Sequence, residues 1–145
     1  MRVVADASVA VKWLLPEPAV EPDADKAVAL LAAAKDGRVE LLQPPHWLAE
    51  VLAVITRLRP EIADEAVELL DAMELSVVSD VVVYKRASRM ARTSKQHVFD
   101  TLYHAIAIEH NGLLVTSDER YLRGAGAFGS AIHLGQWVLP EAEHE

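Results

Sequence analysis

The sequence predicts an α/β fold in which a mainly parallel sheet lies between layers of helices. Short apolar runs such as "RVVA" and "LLVTS" alternate with longer segments that have helical periodicity. Parallel strands joined by helices need crossover connections, and these crossovers cover both faces of the sheet. The 145 residues are a single-domain length. We therefore expect one three-layer domain.

The first part of the chain predicts two strands and three helices. "RVVA" at 2–5 reads as a strand, and "DASVAVKWLL" follows as a helix that Ser8 would cap and Pro16 would end. A second helix ends at Gly37, and "VELLQ" follows it as a strand. Apolar residues at helical spacing predict a third helix over 45–58, which Pro60 would stop.

The second part continues the alternation. It predicts an acidic helix over 61–74, a strand at "LSVVS", a helix at "VVVYKRASRMARTS" and a nearly all-apolar helix at "VFDTLYHAIAIEH". Strands are predicted at "LLVTS" and near "AIHLG". The last residues, "PEAEHE" at 140–145, are expected to be a frayed acidic tail, which leaves 1–139 as the domain.

Composition excludes several classes of function. With no cysteine, the chain cannot form disulfides, Cys-ligated zinc or a catalytic thiolate. Asp6 and Lys12 interrupt the apolar start and no apolar run is long enough to span a bilayer, so we expect a cytoplasmic protein without a membrane anchor. The net charge of −8 disfavours direct attraction to a polyanion. A polyanionic substrate would therefore need a bound cation.

Four acids stand in unusually apolar surroundings. Asp6 follows the first strand and Asp118 follows "LLVTS", so both are predicted at the carboxyl edge of the sheet, where ligand sites collect. Asp100 lies at the front of the apolar helix. Glu50 borders the apolar face of its helix with Ala53 and Val54 at i+3 and i+4, so we expect no local ion pair to account for it.

Simpler roles explain three of these acids individually. Asp6 fits turn and capping chemistry, "TSDE" fits a capping box around Asp118, and Asp100 would be favoured by the helix dipole. A partly buried Glu50 without a partner is costly. One shared divalent cation explains all four together, and an all-oxygen donor set suits Mg²⁺ or Mn²⁺.

Four segments carry a resemblance to a known family: "VVADASVAVKWL", "HWLAEVLAVI", "HVFDTLYHAIA" and "LLVTSDERYL". They resemble the acidic motifs of the PIN-domain nucleases, and the chain is similar in size and order to VapC-type ribonuclease toxins. The resemblance implies a PIN-like α/β/α sandwich with a Mg²⁺-dependent ribonuclease site. By motif, the site acids are Asp6, Glu50, Asp100 and Asp118, and the accompanying hydroxyls are Ser8 and Thr116.

The resemblance also implies partners. It suggests an RNA substrate, a homodimer, and a cognate antitoxin whose C-terminal segment covers the site. Thr101 stands where the family often has Ala, and Glu119 is the only further acid directly after Asp118. The resemblance therefore leaves open whether the site holds one metal ion or two.

Basic residues concentrate in "YKRASRMARTSKQH", where Lys85, Arg89 and Arg92 share one helical face. This face is either an RNA phosphate contact or a solvated surface that pairs with the acidic 61–74 helix. His104 is expected to be packed or hydrogen-bonded, and His46 to be surface at a helix start. Trp13 and Trp47 are expected in the core or a subunit interface.

Three alternatives stay open beside a toxin ribonuclease. One is an RNA-processing PIN nuclease without an antitoxin, and another is a non-catalytic binding module with the same fold. The third is a phospho-accepting receiver domain, which the sequence disfavours because Ala5 and Ala7 flank Asp6 and no lysine follows Lys95.

Overall fold

A computed structural model describes residues 1–15 and 21–141. Its centre is one sheet of five parallel strands in the order β3-β2-β1-β4-β5. The strands are β1 (Arg2–Ala5), β2 (Glu40–Gln43), β3 (Ser76–Val77), β4 (Leu113–Thr116) and β5 (Ala131–His133). The predicted α/β class with a mainly parallel sheet is confirmed.

Seven α-helices connect these strands in the described residues. They are α1 (Ala7–Ala10), α2 (Ala24–Lys35), α3 (Trp47–Leu58), α4 (Ala63–Ala72), α5 (Val81–Ser94), α6 (Val98–Glu109) and α7 (Glu119–Ala125). None of the described helices is long and apolar enough to cross a membrane.

The direction of chain travel sets the two helical layers. The connections from β1 to β2 and from β2 to β3 run towards one edge of the sheet, whereas those from β3 to β4 and from β4 to β5 run the opposite way. Right-handed crossovers therefore place α1 to α4 on one face and α5 to α7 on the other. In agreement, α1 contacts α2 and α3, while α6 packs on β1, β2 and β4 beneath α5.

Reversal of direction between β1 and β4 creates a switch point in the sheet. Ala5 and Val115 are paired at the carboxyl ends of these neighbouring strands, and the amide of Asp6 donates to the carbonyl of Val115 at 3.0 Å. The outgoing chains leave towards opposite faces, which opens a crevice beyond the strand ends. Asp6 and Asp118 follow these two strands.

Several predicted boundaries were wrong, each for a local reason. The first helix is one α-turn followed by a 3₁₀ segment, Val11–Trp13, because Leu14 bonds back to Val11. The third helix begins two residues late, since the amide of Trp47 closes a turn on Pro44. Residues 60–62 form a 3₁₀ turn before α4. The predicted helix end at Pro16 and the tail residues 142–145 lie outside the described residues.

Candidate active site

Gln43 separates the ends of β1 and β2 at the edge where the acids lie. Its buried side-chain amide donates from Nε2 to the carbonyl of Ala5 at 2.8 Å and accepts from the amide of Ala5 at 2.9 Å. The side chain thus satisfies the last backbone groups of β1 in place of a ladder partner. Beyond this point the strand ends are free to line a cavity.

Asp6 is held at the end of β1 by three donors on one carboxylate oxygen. Its Oδ2 accepts from the amide and Oγ of Ser8 at 3.1 and 2.6 Å, and from Oγ1 of Thr116 at 3.3 Å. Asp6, not Ser8, is therefore the cap of α1, which corrects the predicted cap. Ser8 instead uses its hydroxyl to tie Asp6 to β4, because its Oγ also accepts from the amide of Ser117 at 3.0 Å.

Asp118 is exposed at the end of β4 and caps α7. Its Oδ1 accepts from the amide of Tyr121 at 2.9 Å, and its own amide donates to Oγ1 of Thr116 at 3.0 Å. The capping role predicted for Asp118 from "TSDE" is confirmed, but the cap is Asp118 itself and not Thr116, which still belongs to the strand. Among the described residues, Oδ2 of Asp118 accepts no hydrogen bond.

Glu50 lies in the first turn of α3 with its side chain partly buried. Nε2 of His46 is 2.8 Å from Oε1 of Glu50, but its single N–H donates to the carbonyl of Phe99 at 2.9 Å. Buried Oε1 consequently accepts no hydrogen bond from any described residue. His46 stands at i−4 within ion-pair distance of Glu50, a neighbour that a prediction limited to i+3 and i+4 did not consider. Because its Nε2 N–H is used by Phe99, His46 does not satisfy the carboxylate of Glu50.

His46 is partly buried, whereas a surface position was predicted for it. Its ring lies 5.0 Å from that of Phe99 and 5.1 Å from that of Tyr103, measured between centroids. Since the turn at Pro44 directs the chain back over α6, His46 becomes a link between α3 and α6. The hydroxyl of Tyr103 is buried beside Glu50 without a hydrogen-bond partner in the described residues.

Asp100 occupies the first turn of α6, where the helix dipole favours a carboxylate. Its side chain is partly buried, and no described residue donates a hydrogen bond to it. Burial, together with the charges of Asp6, Glu50 and Asp118, raises the pKa of Asp100 to about 6, against an opposing effect of His97. Asp100 therefore lies within electrostatic range of the other three acids.

The pKa of Asp6 is raised as well. Burial raises its pKa, the two bonds from Ser8 oppose that rise, and the charges of Glu50 and Asp118 add to it. The pKa of Tyr103 is also raised by burial and by the acids, Glu50 before Asp6. Four carboxyl groups from β1, α3, α6 and β4 thus repel one another around one crevice.

The donor set fits a hard divalent cation in type and charge. It offers carboxylate oxygens without donors on Asp6, Asp100 and Asp118, and the orphaned buried oxygen of Glu50. An ion such as Mg²⁺ reverses the repulsion between such groups. Within residues 1–15 and 21–141, no group of three acidic or histidine side chains is already positioned as a ligand set. Binding would therefore require these side chains to turn towards a common point.

A polar cleft adjoins Asp100 and Asp118. It has a volume of about 270 Å³, and its other lining residues are Lys95, Gln96, His97, Arg120 and Tyr121. Lys95, His97 and Arg120 were not predicted at the site. The available signal was proximity in sequence, since Lys95 and His97 precede Asp100 and Arg120 follows Asp118.

A larger cleft, of about 550 Å³, borders the hydroxyl network instead of the acids. Ser8 and Ser117 line it with basic residues that include Lys12, Arg57 and His133. Lys12 is buried and forms an ion pair with Glu21 at 3.0 Å. Its charge is therefore already balanced within the protein.

The basic face of α5 is exposed. Lys85, Arg89 and Arg92 are all solvent-accessible, and no ion pair joins them to α4 or to any other described element. The neighbouring Arg86 instead pairs with Glu109 of α6. The face does not line the cleft beside Asp100.

His104 belongs to the core, as predicted. Its Nε2 donates to the carbonyl of Gly129 at 2.6 Å, and its Nδ1 accepts from the hydroxyl of Tyr121 at 2.8 Å. Burial lowers the pKa of His104, which keeps this ring neutral. Trp13 and Trp47 are buried in the same core.

Comparison with known proteins agrees with this architecture. The PIN domain profile matches residues 3–127, which span four of the five strands and all four acids. This match excludes the receiver-domain alternative. No match was found among curated proteins. Since the matched region covers most of the chain, the protein belongs to the PIN domain family.

Proposed function

We propose that this protein is a divalent-metal-dependent endoribonuclease. The observation that carries the proposal is the convergence of Asp6, Glu50, Asp100 and Asp118 at the switch point, where burial and mutual repulsion raise the pKa of Asp6 and Asp100. PIN domains are generally nucleases and usually use divalent metals. A site built to concentrate uncompensated negative charge is suited to bind a cation and, through it, a phosphodiester.

In the proposed site Asp6, Asp100 and Asp118 hold Mg²⁺ or Mn²⁺, while Glu50 holds a second ion or positions the attacking water. The bound metal would supply charge neutralisation at the phosphate and a more acidic water. The chain supplies the geometry. Ser8 and Thr116 fix one oxygen of Asp6, leaving its Oδ1 for the metal. The orphaned Oε1 of Glu50 is available to accept a proton or a hydrogen bond from water.

The biological setting is part of the same proposal and rests on the resemblance to VapC-type toxins. It comprises RNA as the substrate, a cytoplasmic toxin role, a homodimer, and inhibition by a cognate antitoxin. The exposed Lys85, Arg89 and Arg92 would add contacts to the RNA backbone away from the reacting phosphate.

Cleavage of RNA by purified protein tests the activity. Metal-stripped protein is incubated with a mixture of structured and single-stranded transcripts, without metal, with Mg²⁺, and with Mg²⁺ plus excess EDTA. We expect cleavage only with free Mg²⁺, and its loss in Asp100→Asn. Asp64→Asn, which removes an exposed acid from α4, serves as the matched control and should cleave normally. Cleavage that persists in EDTA or in Asp100→Asn would refute the proposal.

A further inference from the structure

The cleft beside Asp100 and Asp118 has a basic wall. Lys95 and His97 come from the loop between α5 and α6, and Arg120 comes from the first turn of α7. These three residues line the same 270 Å³ space as the two acids. Opposite charges therefore line the same cleft.

The two permanent cations of this wall are unpaired within the described part of the chain. Lys95 and Arg120 are exposed, and neither forms an ion pair with any described residue. Their positive charge remains available to an anion that enters the cleft.

Packing of the loop against α7 keeps the wall in place. A Cβ on Gly124 would collide with the side-chain amide of Gln96, so Gln96 of the loop packs closely against α7 at this glycine. Lys95 itself has φ of 60°, a left-handed conformation that glycine or asparagine adopts more easily at a helix end. The contact of Gln96 with Gly124 thus lies between the loop that carries Lys95 and the helix that carries Arg120, and both cations line one cleft.

We propose that Lys95 and Arg120 bind an RNA backbone phosphate adjacent to the one that is cleaved. A strand whose reacting phosphate lies at the acids must carry its neighbouring phosphate next to them, and the cleft places two unpaired cations at that position. Such a contact also offsets the repulsion that four carboxylates exert on an approaching polyanion. This inference rests on the proposed ribonuclease activity and names a subsite of the same site.

The test compares steady-state cleavage of one short single-stranded RNA, centred on a bond that the wild type cuts, by Lys95→Ala, Arg120→Ala and the double variant. Arg123→Ala and Lys35→Ala are the matched controls, because both remove exposed cations that form no ion pair with a described residue and do not line the cleft. We expect each cleft variant to raise KM roughly tenfold, as for loss of a charge-assisted hydrogen bond. The slope of log KM against log salt should fall by about 0.7 for each contact removed.

A second substrate separates a subsite contact from general attraction. The same RNA is made with one neutral methylphosphonate, placed in turn on either side of the cleaved bond. At the contacted position, the neutral linkage should raise KM for the wild type and leave the double variant unaffected. If the cleft variants and the control variants have the KM of the wild type, and the wild type cleaves RNA, the subsite is refuted and the proposed nuclease activity is retained. If the wild type does not cleave RNA at all, both proposals are wrong.

Discussion

Ser8 Oγ donates to Oδ2 of Asp6 at 2.6 Å, and the same Oγ accepts from the backbone of Ser117 at the end of β4. One hydroxyl therefore fixes a carboxylate of β1 against the neighbouring strand. Its hydrogen bond also opposes the rise in pKa that burial causes at Asp6. Ser8, which we do not propose as a metal ligand, thus favours the ionised form of Asp6.

Replacement of Ser8 should weaken the metal site without unfolding the protein. In Ser8→Ala the pKa of Asp6 rises further, because a bond to its charged form is lost. We expect metal affinity to fall about 10- to 100-fold, as for other partners of metal ligands. Ser117→Ala is the control, since its buried Oγ has no hydrogen-bond partner among the described residues. Equal metal affinity in both variants, measured by titration with Mn²⁺, would contradict this role of Ser8.

Neutralising Asp100 should stabilise the metal-free protein. Its pKa of about 6, against an ordinary 3.8, means that the folded state binds a proton more tightly than the unfolded state. The free energy of unfolding therefore decreases as the pH rises from about 4 through about 6. Asp100→Asn has no carboxyl group to ionise and therefore does not lose this stability. It should be more stable than the wild type at pH 7 by roughly 1 kcal/mol, after allowance for solvent screening of a half-exposed group.

Urea denaturation in EDTA at pH 7 and at pH 3.5 measures this effect. The advantage of Asp100→Asn should be present at the higher pH and vanish at the lower one, where the wild-type carboxyl is protonated. A variant that is less stable than the wild type at pH 7 would show that Asp100 is stabilised by a partner instead of being repelled.

Cleavage should require a higher concentration of Mg²⁺ as the pH decreases through about 6. Protons then compete with the cation for Asp100, whose pKa has that value in the metal-free protein. The concentration of Mg²⁺ needed for half-maximal cleavage should increase about tenfold for each pH unit below this point, as expected for release of one proton per ion bound. A metal requirement that is independent of pH between 5 and 7 would be inconsistent with the raised pKa.

His104 should be important for stability and not for catalysis. Both ring nitrogens are used within the core, so His104→Ala leaves the hydroxyl of Tyr121 and the carbonyl of Gly129 without partners. We expect a loss of roughly 2 to 4 kcal/mol in the free energy of unfolding. Cleavage per folded molecule, measured at low temperature, should be unchanged. Full folding with lost cleavage would place His104 in the active site instead.

Some of the site follows from local sequence patterns and some does not. Asp6 and Asp118 are predictable because an acid directly after a parallel strand must lie at the carboxyl edge. The closeness of His46 to Glu50 was missed because His46 stands in a turn, outside the helix that carries Glu50. Lys95 and Arg120 line one cleft where Gln96 packs against Gly124, a contact between distant elements that has no periodic signature.

Binding of Mn²⁺ to metal-free protein tests the central claim most directly, since it requires no knowledge of the RNA. The measurement is calorimetric titration at pH 7.5 of the wild type, Asp100→Asn and the control Asp64→Asn. If the four acids share a cation, the wild type and Asp64→Asn bind Mn²⁺ with similar affinity, and Asp100→Asn binds it at least tenfold more weakly. Equal binding by all three proteins, or none by the wild type, would contradict a metal centre at the switch point.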